Sequence, residues 1–142
     1  MGGALSKMHR THALLLILVA SVVILAMHLA AFEYYLYWRF WWYDLIMHAM
    51  GGVIIASIAL VFGVQSYARP VALAVVVGCA WEIMEYMAGI RIGKNYAFDT
   101  VLDVIADMSG AILLCAIVGG WSQKSQSPLR AEPVASPDQT SS

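Results

Sequence analysis

Four apolar stretches separated by short polar joints run along the chain, at about 12–32, 44–64, 70–88 and 99–120. Each is close to the roughly 20 residues that an α-helix needs to cross about 30 Å of hydrocarbon. The pattern predicts an all-α integral membrane protein: a four-transmembrane-helix bundle filling residues 1–121 as one domain. Pro70 suits the first turn of the third helix, where its missing N–H costs nothing. From Ser122 to Ser142 the chain is rich in Ser, Pro and Gln and nearly free of apolar residues, which predicts a disordered tail. No internal repeat is visible. Lys7 and Arg10 before the first stretch give it the look of a signal peptide, but a run of about 20 exceeds the usual 7–15-residue signal core. Leu29 is also a poor partner for Ala31 in a cleavage site, so a retained helix is expected.

Composition agrees with the pattern. The 142 residues are 61% hydrophobic and 12% charged, with a mean hydropathy of +0.75, against roughly 45–50% apolar and 25% charged in soluble domains. A formal charge of −1 argues against nucleic acid, whose binders carry a basic face. Cys79 and Cys115 fall inside apolar runs and read as small buried hydrophobes.

What composition does not explain is where the acids lie. Of nine acidic residues, six (Asp44, Glu82, Glu85, Asp99, Asp103 and Asp107) sit in or at the edge of the apolar stretches, and His48 joins them. A charge at the bilayer centre costs roughly 2.5–3.5 kcal/mol on insertion scales, and chains keep such residues for pathways, relays or sites. In the four-span arrangement Asp44 and His48 open the second helix, Glu82 and Glu85 close the third, and Asp99, Asp103 and Asp107 open the fourth. All seven therefore meet at one leaflet. Asp44 and His48 are four apart, Glu82 and Glu85 three apart, and the three aspartates form a stripe about 12 Å deep at 1.5 Å per residue. Like charges so placed cannot all stay ionised in a low dielectric without cations or protons.

A divalent metal ion is one resolution, with His48, Glu82, Glu85, Asp103 and Asp107 as ligands and Asp44 and Asp99 beside them. The oxygen-rich set suits Mg²⁺ or Mn²⁺, and the single imidazole also admits Zn²⁺. Glu82, Glu85 and Asp103 are then the candidates for acid–base catalysis. The plainer alternatives are that Asp44 and Asp99 cap their helices at the interface and that His48 is a hydrogen-bonded packing residue. Gly51, Gly52, Gly78 and Gly110 each lie within a turn of these residues, and small residues let membrane helices approach closely.

Between the first two spans, eight of the ten residues from Tyr34 to Tyr43 are aromatic. Trp and Tyr anchor at the headgroup level, which predicts an interfacial segment. A sharper reading makes it a platform beside the acids, with Arg39, Trp41, Trp42, Arg91 and Lys94 contacting a substrate headgroup or phosphate. Lys7, Arg10, Arg69, Lys124 and Arg130 fall on one side of the membrane and Arg39, Arg91 and Lys94 on the other. This places both termini in the cytoplasm and the acids at the extracytoplasmic interface.

The order Tyr43-Asp44-x-x-x-His48-x-x-Gly51-Gly52, Trp81-Glu82-x-x-Glu85 and Asp99-Thr100-x-x-Asp103-x-x-x-Asp107-x-x-Gly110 resembles the YjdF-like family of small bacterial inner-membrane proteins. It is also similar in outline to the more distant VanZ-like family, in which Gln tends to stand at the place of Glu85. The resemblance covers about residues 43–111. It implies a multi-pass protein of the bacterial inner membrane, tied in the VanZ-like case to glycopeptide resistance, and it implies no catalytic mechanism.

Three functions fit the pattern. The leading one is a metal-dependent hydrolase acting on a lipid headgroup or lipid-linked phosphate. The others are a proton- or cation-coupled transport component and a non-catalytic partner subunit of a membrane complex. Only Ser57, Gln65, Ser66 and His12, with Ser21, offer polar groups in the other half of the bundle, which favours a dead-ended pocket over a pathway. The lipid bilayer is the one partner common to all three, and an oligomer is compatible with each.

Overall fold

The computed structural model describes residues 2–64, 66–90 and 95–126, with side chains placed over 9–64, 66–90 and 95–119. The described chain is helical throughout: α1 (Gly2–Glu33), a single turn α2 (Leu36–Arg39), α3 (Trp41–Val61), α4 (Ala68–Ala88) and α5 (Tyr96–Gln126). Four of these contain segments long and apolar enough to span a bilayer, His9–Glu33, Trp41–Val61, Ala68–Ala88 and Tyr96–Gly119. The protein is thus a multi-pass, all-α membrane protein whose outward side chains meet lipid.

Helix ends extend past the apolar runs because adding a residue to an existing helix costs far less than starting one. α1 begins at Gly2 rather than near His12, α3 begins within the aromatic segment, and α5 continues to Gln126, into the stretch expected to be tail. The rest of that tail, from 127 to 142, lies outside the described residues, as do Gln65, Arg91 and Lys94. α3 and α4 stop at Gly63 (φ 86°) and Gly89 (φ 72°), left-handed positions that glycine adopts without a Cβ clash. After Gly89 the Ile90 N–H donates to the Glu85 carbonyl at 3.0 Å, closing the last turn of α4.

α3 is the centre of the bundle. It packs on α1, α4 and α5, and α4 packs on α5, whereas α1 makes no close backbone approach to α4 or α5 among the described residues. The α3–α5 crossing is the tightest. A Cβ on Gly52 would overlap the Asp107 carbonyl, and a Cβ on Gly110 would overlap the Ala49 carbonyl. Each helix thus presents a glycine to the other's backbone, the small-residue packing by which membrane helices associate without a hydrophobic drive. Beyond this crossing, Ala56, Ala74 and Ala111 are fully buried from three helices, with Ile55, Val71 and Leu114 packed around them.

The aromatic segment forms the connection between the first two spans. Tyr35 adopts a left-handed conformation (φ 56°), the one such non-glycine residue among those described. For an L-residue this costs roughly 1–2 kcal/mol, and the reversal it produces turns Tyr37 into the bundle. There Tyr37 is buried with Ala31 and Met47 and lies edge-on to Tyr43, ring centroids 5.4 Å apart. The Tyr43 hydroxyl donates to the Met27 carbonyl of α1 at 3.2 Å, fixing α1 to the start of α3. Cys115 is buried as expected, but Cys79 sits on the outer face of α4 and is exposed.

Candidate functional site

Asp44, His48, Glu82, Glu85, Asp103 and Asp107 are the buried acid and histidine side chains among the described residues, two from each of α3, α4 and α5. The helical spacing explains this: each pair is three or four residues apart, and each lies on the face its helix turns to the other two. His48 is the hub. Its Nδ1 donates to Asp107 Oδ2 at 3.1 Å, and its Nε2 lies 3.8 Å from Asp44 Oδ1 and 3.6 Å from Glu82 Oε1. An ionised carboxylate only accepts, so the Asp107 bond fixes the imidazole with Nε2 turned toward Asp44 and Glu82. One ligand atom each from Asp44, His48 and Asp103 lie within 4.8 Å of one another, close enough to hold a metal ion together.

Neighbouring side chains fix the rest. Thr100 donates to Glu82 Oε2 at 2.7 Å, Tyr96 donates to the Glu82 carbonyl at 2.8 Å, and Trp81 Nε1 donates to Glu85 Oε1 at 2.9 Å. Two oxygens are left over. Glu82 Oε1 and Asp103 Oδ1 are buried without a hydrogen-bond partner, although their residues are only 4% and 2% exposed. Buried polar atoms almost always find partners, because leaving one unmade costs about 1–3 kcal/mol.

Gly78 on α4 makes room for this arrangement. A Cβ there would collide with Asp107 Oδ2, the atom that holds His48, and one on Gly51 would touch Asp107 Oδ1 at 3.4 Å. The glycines near the acids therefore shape the site as well as the helix packing.

Capping does not account for Asp44. It stands in the first turn of α3, after a cap position held by Phe40 that has no side-chain bond, and it is buried against His48. Asp99 likewise lies inside the first turn of α5 and is half-buried. Asn95 does the capping, its Oδ1 accepting from the Phe98 N–H at 3.4 Å. The proposed headgroup contacts divide differently from the acids. Trp41 is 78% exposed, Trp42 is exposed, and Arg39 lies over the Phe40 ring at 5.6 Å. None of the three lines the cavity beside the acids, and Arg91 and Lys94 are outside the described residues.

Two groups emerge that the linear pattern did not single out. His28 of α1 and the Tyr37 hydroxyl are hydrogen-bonded to each other, and both line the cavity that ends on Asp44, His48, Glu85 and Asp107. Burial, and then the nearby carboxylates and Tyr43, hold the Tyr37 phenol well above its ordinary range, so it stays protonated. A histidine within the first apolar run was the available signal for His28. Nothing in the sequence marked Tyr37 apart from its aromatic neighbours.

No curated protein and no solved structure matches the chain. A family model described as "Predicted membrane protein (DUF2238)" matches residues 4–124, and the chain belongs to that family.

Proposed function

We propose that this protein binds a divalent metal ion in the buried acid–histidine cluster and uses it for hydrolysis at a lipid headgroup or lipid-linked phosphate. The observation that carries the reading is the pair of unpartnered buried oxygens, Glu82 Oε1 and Asp103 Oδ1: the first lies 3.6 Å from His48 Nε2, and the second belongs to a residue with a ligand atom within 4.8 Å of ligand atoms of His48 and Asp44. A cation would satisfy both. Asp44, His48, Glu82 and Asp103 are the ligands in this proposal. Asp107 moves to the outer position, holding the imidazole through Nδ1 as carboxylates commonly do for metal-ligating histidines. A bound divalent ion would supply Lewis acidity and an acidified water molecule. Glu85 borders the cavity, held by Trp81, and is the carboxylate positioned to take or return a proton there. Mg²⁺, Mn²⁺ and Zn²⁺ all remain in the proposal, as do the extracytoplasmic placement, the cytoplasmic termini and the bacterial inner membrane suggested by the YjdF-like and VanZ-like resemblance.

Transport through one chain is the less favoured reading. Below the acids, Ser57 and Ser109 turn their hydroxyls back onto the Val53 and Ile105 carbonyls of their own helices. The layer beneath is filled by Ala56, Ala74 and Ala111. Among the described residues the polar line stops there.

Purified protein loaded with Mn²⁺ and offered a panel of phospholipids and lipid phosphates in mixed micelles tests the reading. The expected result is turnover that EDTA abolishes and that Glu85→Gln lowers by about 10²–10⁴-fold with metal still bound. Absence of turnover across the panel by metal-loaded protein, or turnover indifferent to EDTA, contradicts it.

A further inference from the structure

The cavity that ends on the acids measures about 310 Å³, within the size range of small-molecule sites. Its polar groups gather at one end, where His28, Tyr37, Asp44, His48, Glu85 and Asp107 meet. The remaining wall is apolar, formed by Ile24 and Leu25 of α1, Ile54 and Ile55 of α3 and Val77 of α4. Ser21 is the exception at the far end, and its hydroxyl is already committed to the Ile17 carbonyl at 2.8 Å. No Lys or Arg side chain borders the cavity among the described residues.

Between α1 and α4 the cavity is bordered by side chains alone, since the two helices make no close backbone approach among the described residues. They touch through side chains near the polar end, where His28 and Trp81 meet edge-on with centroids 5.7 Å apart. Along α3 the lining runs from Asp44 to Ile55, and along α1 from His28 back to Ser21. At 1.5 Å per residue these are about 16 Å and about 10 Å of helix. Against about 30 Å of hydrocarbon, the cleft reaches from the headgroup level to about the midplane, the depth of a single leaflet.

We propose that the α1–α4 cleft holds one acyl chain of a bilayer lipid, entering sideways from the membrane and bringing the lipid's head to the acidic cluster. This rests on the hydrolase reading for what happens at the head and identifies the substrate as a membrane lipid held by its chain. A water-soluble headgroup would leave the apolar wall unused. Four elements of the site match such a ligand: apolar wall, polar end, leaflet depth and a flank where α1 and α4 make no close backbone approach. With no cation along the wall, the chain's apolar contacts provide the grip, and any phosphate on the head depends on the metal.

The test is photolabelling in nanodiscs with phosphatidylethanolamine carrying a mid-chain diazirine, with labelled residues mapped by mass spectrometry and metal content measured on the same samples. Label is expected on Ile24, Leu25, Ile54, Ile55 or Val77. Val77→Trp, or Leu25→Trp from the opposite wall should the first variant fail to fold, is expected to remove most of it. Ile83→Trp, on the outward face of α4, should leave it unchanged. Label scattered over outward residues such as Leu16, Leu18 and Val22, in protein that holds metal, overturns the cleft assignment. Cleft label in protein that takes up no metal leaves that assignment standing and overturns the metal reading.

Discussion

His48→Ala is expected to abolish divalent-ion binding and to destabilise the detergent-solubilised apoprotein by about 3–5 kcal/mol, the cost of stripping the partner from a buried charged group. The imidazole faces three carboxylates, Asp107 through Nδ1 and Asp44 and Glu82 through Nε2. Without it the acids of three helices confront one another with no imidazole between them, while Asp107 loses its hydrogen-bond donor. Asp99→Asn is the matched control. Asp99 belongs to the same stripe of aspartates in the sequence, but it is half-buried in the first turn of α5, and its substitution is expected to shift stability by no more than about 0.5 kcal/mol. Thermal unfolding with and without Mn²⁺ reads both. Equal effects from the two variants would mean that the cluster is a diffuse acidic face with no hub.

Gly52→Ala is expected to cost about 1–3 kcal/mol or more and Gly51→Ala far less, although the two glycines are adjacent. At Gly52 the new methyl would occupy the position of the Asp107 carbonyl, a rigid backbone group that moves only if α3 and α5 separate. At Gly51 it would meet the Asp107 Oδ1 atom at 3.4 Å, ordinary contact with a side chain. Separation of α3 from α5 also carries Asp107 away from His48. Gly52→Ala should therefore weaken metal binding by about 10–100-fold, the usual effect of disturbing a partner that orients a ligand. Unfolding temperature and Mn²⁺ affinity measured on both variants check the pair. A Gly52→Ala protein as stable as Gly51→Ala would contradict the tight crossing.

The helices were legible because a span announces itself by length and hydropathy, and the convergence of acids followed from depth alone once four spans were counted. Spacing also put each pair on one helix face, and the structure brings the buried acids of three helices around His48. Division of labour was not legible. Asp44 and Asp107 look interchangeable as acids four residues from another polar group. Whether a carboxylate meets Nδ1 or Nε2 of His48 depends on helix rotation and on which neighbour is a glycine. Gly78, for instance, decides where the Asp107 carboxylate rests. Asn95 caps α5 from four residues before the last apolar run, and Asp99, at the edge of that run, has the same capping chemistry. Tyr37 was hidden by its surroundings. Eight aromatics in ten residues read as one interfacial belt, and it is the left-handed turn at Tyr35 that separates buried Tyr37, with Tyr43 packed against it, from the exposed rings of Tyr34, Tyr35, Trp38, Phe40, Trp41 and Trp42.

The central claim is that two buried, unpartnered oxygens exist to hold a cation. Metal content of detergent-purified protein, determined by elemental analysis before and after equilibration with Mg²⁺, Mn²⁺ and Zn²⁺, tests it most directly. Wild type is predicted to hold a divalent ion through dialysis, and the Glu82→Gln/Asp103→Asn double variant, folded but lacking both anionic oxygens, is predicted to hold none. Wild-type protein that is metal-free as purified and stays so after all three ions are offered would contradict the account.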